Sequence, residues 1–100
     1  MYVYRITPSA YRDLSEIKRY IREELSSPES ADQLIQAFMK AFENACMYPF
    51  SLPPVQDPRL QAKGYRKLIV KNYIAFVQVR GETVEIMRVL YYGRGYQRLL

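Results

Sequence analysis

The hydrophobic period of this chain changes once, and that change limits the folds open to it. From residue 8 to residue 45 apolar side chains recur at helical spacing, whereas from residue 65 to residue 91 they come in short runs rich in valine, isoleucine and tyrosine. Ala10, Leu14, Ile17, Ile21 and Leu25 share one helix face, and Ala31, Leu34, Ile35, Phe38, Phe42 and Ala45 share another. Thr7-Pro8 opens the first helix, with the threonine as N-cap and the proline at the first helical position, where its missing N–H is harmless. Ser26 and Glu29 have the spacing of a capping box around Pro28, so the second helix is expected to start there and fold back as an antiparallel hairpin.

Tyr2 to Ile6 reads as a short strand ahead of the helices. Tyr48-Pro49-Phe50 stops the second helix, and Pro53, Pro54 and Pro58 are expected to hold residues 49 to 63 as an extended, turn-rich loop. Three strands follow, Tyr65 to Val70, Tyr73 to Val79 and Thr83 to Tyr91, joined at Lys71-Asn72 and Arg80-Gly81-Glu82 as an antiparallel meander. The fold class is therefore α+β in the order β-α-α-β-β-β, one domain over residues 1–100. A helical hairpin packs on one face of a mainly antiparallel four-stranded sheet. Because Ile74 and Phe76 alternate with Ala75, Val77 and Val79, the middle meander strand is apolar on both faces. The hairpin covers one face; the segment Arg94 to Leu100, or a partner, is expected to close the other.

Several chemistries are excluded at the outset. The chain has no histidine and one cysteine, Cys46, so a Ser-His-Asp or Cys-His site, a zinc centre and a disulfide framework cannot be assembled from its side chains. None of its glycines opens a helix as a phosphate loop does, and no cofactor or metal is expected. No apolar run approaches the roughly 20 residues that span a bilayer, and a cytoplasmic location with no membrane partner is expected.

The net charge of +5 is unevenly spread. Through Asp57 six lysines and arginines face eight carboxylates, a net of −2, while from Pro58 onward nine face two, a net of +7. In that second region Tyr91, Tyr92 and Tyr96 interleave with Lys63, Arg66, Lys67, Lys71, Arg88, Arg94 and Arg98, the mixture that holds phosphates and stacks on unpaired bases. Arg66, Lys67, Tyr91, Tyr92 and Arg94 are candidate catalytic residues, and Lys63, Lys71, Arg88, Tyr96 and Arg98 are candidate RNA-binding residues. All are expected to converge on one exposed patch at the end of the sheet. Tyr65 and Tyr73 begin strands and are expected to pack across them. Arg88, inside an apolar strand, must reach solvent or pair with Glu82 or Glu85.

The order of elements and the local runs Tyr4-Arg5-Ile6-Thr7, Asp13-Leu14, Tyr20-Ile21, Gly64-Tyr65-Arg66-Lys67-Leu68, Asn72-Tyr73-Ile74 and Arg88-Val89-Leu90 resemble the RelE/ParE superfamily of toxins, along nearly the whole chain. The resemblance implies the toxin of a type II toxin–antitoxin system, neutralised by a cognate antitoxin that folds on binding. It also implies a growth-inhibiting target. The expected activity is that of a ribosome-dependent mRNA endoribonuclease, metal-independent and acting through 2′-OH attack, with the ribosome and mRNA as partners. The alternative is a non-enzymatic inhibitor of DNA gyrase. In the nucleases the matching positions are basic residues on the first meander strand, here Arg66 and Lys67, and the end of the last strand, here Tyr91-Tyr92. This chain departs from them in having no histidine, and in carrying Ile74 where they place an arginine.

Overall fold

A computed structural model describes residues 1–93, 95, 96, 99 and 100. Strand β1 (Val3–Ile6) leads into helix α1 (Pro8–Arg19), and helix α2 (Pro28–Ala45) follows after a π-helical turn at Tyr20–Glu24. Thr7 starts α1 as its sequence indicates: its hydroxyl oxygen accepts from the Ala10 N–H at 3.2 Å and donates to the carbonyls of Ile86 and Met87. That one side chain joins a helix cap to the sheet. The capping box at Ser26 is not formed. The π turn takes up an extra residue, closing with Leu25 N–H on the Tyr20 carbonyl at 3.2 Å, and Ser26 is left in the left-handed region at φ 51. The cap of α2 therefore falls one residue later, on Ser27, whose hydroxyl donates to that of Ser30 at 2.7 Å.

The remaining strands are β2 (Arg66–Val70), β3 (Tyr73–Arg80) and β4 (Thr83–Tyr91), and the sheet order is β1-β4-β3-β2. β1 runs parallel to β4, while both meander contacts are antiparallel. A bulge in β4 sets Phe76 opposite Arg88 but Val77 opposite Ile86, so Met87 is the extra residue. Each face of the sheet has its own core. On one side Ala10, Leu14, Phe38 and Phe42 from the hairpin meet Ala75, Val77, Val84, Ile86 and Val89. On the other Ile74, Phe76 and Leu90 are covered by Val55, Leu60 and Tyr65, with Tyr96, Leu99 and Leu100 packed against them.

The second cover corrects the expectation for residues 49–63, which do more than loop across the surface. They hold a short 3-10 turn (Pro49–Ser51) and helix α3 (Pro58–Ala62), whose N-cap Asp57 accepts from the N–H groups of Arg59 and Leu60. Val55 and Leu60 are completely buried. The segment also shields the start of the β2 edge, because Pro53 and Tyr65 offer carbonyls to Lys67 N–H and Val55 N–H at 2.9 and 3.0 Å. An edge strand covered in this way cannot template pairing with another chain there.

Beyond Ile86, β4 has no β1 neighbour, and helix α1 supplies the missing acceptor. The Asp13 carboxylate accepts from the Val89 N–H at 2.9 Å and takes a two-pronged contact from Arg88, at 2.7 and 3.0 Å. Arg88 is thus partnered by Asp13, not by Glu82 or Glu85. Glu85 instead bridges Arg5 and Arg80, at 2.7 and 3.0 Å. Among the described residues, no helix is long and apolar enough to cross a membrane.

Candidate functional site

Register decides which of the candidate residues meet. Val70, Tyr73 and Tyr91 lie side by side across three strands, and Tyr92 N–H donates to the Asn72 carbonyl at 2.7 Å, so Lys71, Tyr91 and Tyr92 gather at one end of the sheet. Arg66 sits in the row of Val77 and Ile86, four residues away, which is about 13 Å along the strands. Alternation separates its neighbour further: Arg66 shares the helix-covered face with Leu68, and Lys67 points to the opposite face. The expected single patch is therefore not assembled by the described residues.

The other candidates are engaged or displaced. Arg66 donates through Nη1 to the carbonyls of Phe50 and Leu52, at 3.3 and 2.7 Å, and its guanidinium lies 5.2 Å over the Phe50 ring. Arg88 is bound to Asp13 and also donates to the Leu99 carbonyl. Tyr96 stacks on Phe76 with ring centroids 4.8 Å apart, so that face of its ring is occupied by the protein's own core. Lys63 is exposed at the end of α3, where its carbonyl accepts from Gln78. Arg94 and Arg98 lie outside the described residues. Tyr65 is buried in the second core and Tyr73 packs against Phe38, as strand-packing residues do. Ile74 is buried as well, so the position at which the nucleases carry an arginine is part of a core here.

What the Lys71 end does form is a trough between the sheet and the turn of the helical hairpin. Its larger part encloses about 720 Å³ and is lined by Tyr20, Ile21, Leu34, Lys71, Tyr73 and Tyr91, with Lys71 the one charged side chain on its wall. A second depression of about 350 Å³ continues it toward Asp13 and Glu16, sharing Tyr20, Tyr73 and Tyr91. The π turn presents Tyr20 and Ile21 here, two residues that were not among the candidate site residues. Such turns are rare within helices and gather at functional sites, but they leave no pattern in a single sequence.

Burial, and then the neighbouring Tyr91 and Tyr20, push the Tyr73 phenol above its ordinary value of 10.0, so it keeps its proton at neutral pH. The hydrogen bond from Arg88 to Asp13 raises the guanidinium further, against the opposing effect of burial, and holds it charged. Burial and then Glu43 raise the Cys46 thiol, which lowers its thiolate fraction at neutral pH.

Comparison with known proteins gives a consistent picture. A family model described as the ParE toxin of type II toxin–antitoxin systems matches residues 4–96. The fold is similar to that of a chain from the chromosomal ParDE toxin–antitoxin system of P. aeruginosa, with a TM-score of 0.77 and 22% identity over 92% of this chain and 97% of that one. It is also similar to a chain of a RelBE toxin–antitoxin complex from Mycobacterium tuberculosis, with a TM-score of 0.58 and 20% identity over 90% and 96% of the two chains. No curated protein sequence matches the chain.

Proposed function

The chain belongs to the ParE toxin family of type II toxin–antitoxin systems, and from that premise we propose that it arrests growth by binding DNA gyrase as a protein inhibitor in the cytoplasm, without cutting RNA. One observation carries this reading. Stabilising the charge that builds on a scissile phosphate requires cations and proton-transfer groups held within hydrogen-bond reach of one point. Among the described candidates, Arg66 is about 13 Å along the sheet from Tyr91, Lys67 faces away from both, and Arg88 is spent on Asp13. An inhibitor that works by contact alone needs no such convergence.

The neutralising partner in this reading is a cognate antitoxin, part of which orders on the toxin surface. The trough beside Lys71 offers such a segment apolar wall and a single positive charge. Cleavage of mRNA on the ribosome is the second reading, and the meeting of Lys71, Tyr91 and Tyr92 at one end of the sheet favours it.

The test sets purified toxin against gyrase in a supercoiling assay and against translating ribosomes with a labelled message. Inhibited supercoiling with intact message is the expected result. Cleaved message with normal supercoiling eliminates the gyrase reading.

A further inference from the structure

Far from the trough, where α2 ends, the fold leaves large apolar side chains uncovered: Met47, Tyr48 and Phe50 are 68, 74 and 60% exposed, with Tyr2 half-buried beside them. Single exposed apolar residues are ordinary, but a contiguous group with defined geometry marks an interaction surface. The backbone under this group is held in place. The Ser51 N–H and hydroxyl both donate to the Tyr48 carbonyl, at 3.0 and 2.6 Å, and Leu52 N–H donates to the Pro49 carbonyl. Pro49 itself is buried. The Phe50 ring is clamped from two sides, with the Tyr2 ring edge-on at 6.3 Å and the Arg66 guanidinium at 5.2 Å. Two backbone carbonyls then fix Arg66 in turn. A Phe50 ring already ordered in the free protein loses little freedom on docking, which favours tight binding by a small surface.

The chemistry of the patch selects the kind of partner. Methionine, tyrosine, phenylalanine and arginine are the residues enriched at the centres of protein–protein interfaces, where acidic side chains are depleted. No residue between Glu43 and Asp57 is charged, and Arg66 brings a guanidinium over the Phe50 ring. A complementary surface offers an apolar hollow for Tyr48 and Phe50, with a carboxylate at its rim for the guanidinium. A nucleic acid is a poorer match, because phosphates need several cations and, among the described side chains, Arg66 is the cation held against the patch's rings. The location is also separate from the trough. α2 is 18 residues long, about 27 Å, with Ser30, Gln33, Leu34 and Ala37 on the trough at its start and the patch beyond its end.

We infer that the Tyr48–Phe50–Arg66 patch is the surface by which this toxin grips its protein target, an apolar hollow with an acidic rim on gyrase; the inference rests on the gyrase reading above. It is tested by titrating wild-type toxin, Tyr48→Ser, Arg66→Glu and the control Tyr11→Ser into a supercoiling assay, with thermal melts to establish that each is folded. Tyr11 is a similarly exposed tyrosine on α1. The expected result is at least a tenfold rise in the half-inhibitory concentration for Tyr48→Ser and Arg66→Glu, with Tyr11→Ser unchanged. Tyr48→Ser touches no core and so tests the patch even if Arg66→Glu disturbs the loop. Full inhibition by a folded Tyr48→Ser overturns this inference alone. Wild-type toxin that leaves supercoiling untouched removes gyrase as the target, and this assignment of the patch with it.

Discussion

At the start of α2 the chain reverses through a π turn and a left-handed serine, and it leaves an open trough with tyrosines around it. At the end of the same helix it reverses through Pro49 and a serine-bound turn, and it leaves Tyr48 exposed and Phe50 pinned by an arginine. Both ends expose tyrosine, yet they are built for different work. The trough is concave and can receive a segment that orders only on contact. The patch is exposed, and its Phe50 ring and backbone turn are ordered beforehand. Exposure alone does not distinguish these cases; the hydrogen bonds of the supporting backbone do.

The largest test of this contrast is Asp13→Ala. The carboxylate anchors α1, one wall of the trough region, to β4 by accepting from both Arg88 and the Val89 N–H. The Arg88 side chain is 23% exposed, so loss of the carboxylate strands a largely desolvated guanidinium and costs about 3 kcal/mol. A fall in melting temperature of roughly 15 °C is expected for a domain of this size. A loss of only a degree or two would mean the pair is an ordinary surface contact, and the trough wall is held by packing alone.

At the other end, Arg66→Ala removes the contact over Phe50 and two bonds to carbonyls, and about 1.5 kcal/mol should be lost in denaturant titrations. Arg66→Lys restores the charge without the planar fork and is expected to recover less than half. Equal stability of the lysine and arginine proteins would show that the patch is not fixed by guanidinium geometry.

Lys71 sharpens the contrast from the trough side. It occupies the left-handed region at φ 55 in the β2–β3 turn, where a lysine is strained and glycine is not. Lys71→Gly should raise stability by about 0.5 kcal/mol while removing the one charge on the trough wall. Antitoxin affinity measured on the same protein then separates strain from binding, and a destabilised glycine variant would contradict the strain argument.

The smallest effect concerns pH. Tyr73 holds its proton more tightly in the folded chain than in the unfolded one, so its contribution to stability is complete below the ordinary phenol value of 10.0 and declines as pH rises beyond it. Tyr73→Phe should flatten part of the alkaline decline in unfolding free energy and leave the neutral range nearly unchanged. An unaltered alkaline slope would place the titrating group elsewhere.

The interactions that could be read from the chain are local or periodic ones. Thr7-Pro8 specifies the start of α1 because an N-cap bond spans three residues, and the apolar stripes of both helices and the alternation in β3 follow from 3.6- and two-residue periods. That Arg66 and Lys67 face opposite sides is also a two-residue fact, and the expectation of a single patch conflicts with it. Asp57-Pro58 with Leu60 carries the same cap-and-proline signal as Thr7-Pro8, so α3 was legible too.

Other features required the folded chain. Asp13 and Arg88 are 75 residues apart, and Arg66 finds the Leu52 carbonyl across 14; neither pairing leaves a mark in spacing. The parallel docking of β1 on β4 and the bulge at Met87 likewise depend on how the hairpin lies over the sheet. The sequence by itself determined the elements, the two-faced apolar middle strand and the basic second half. Tertiary structure alone decided which cations are neutralised internally and which aromatics are pinned at the surface. Charge is additive along a chain, but its availability depends on what lies within about 3 Å in space.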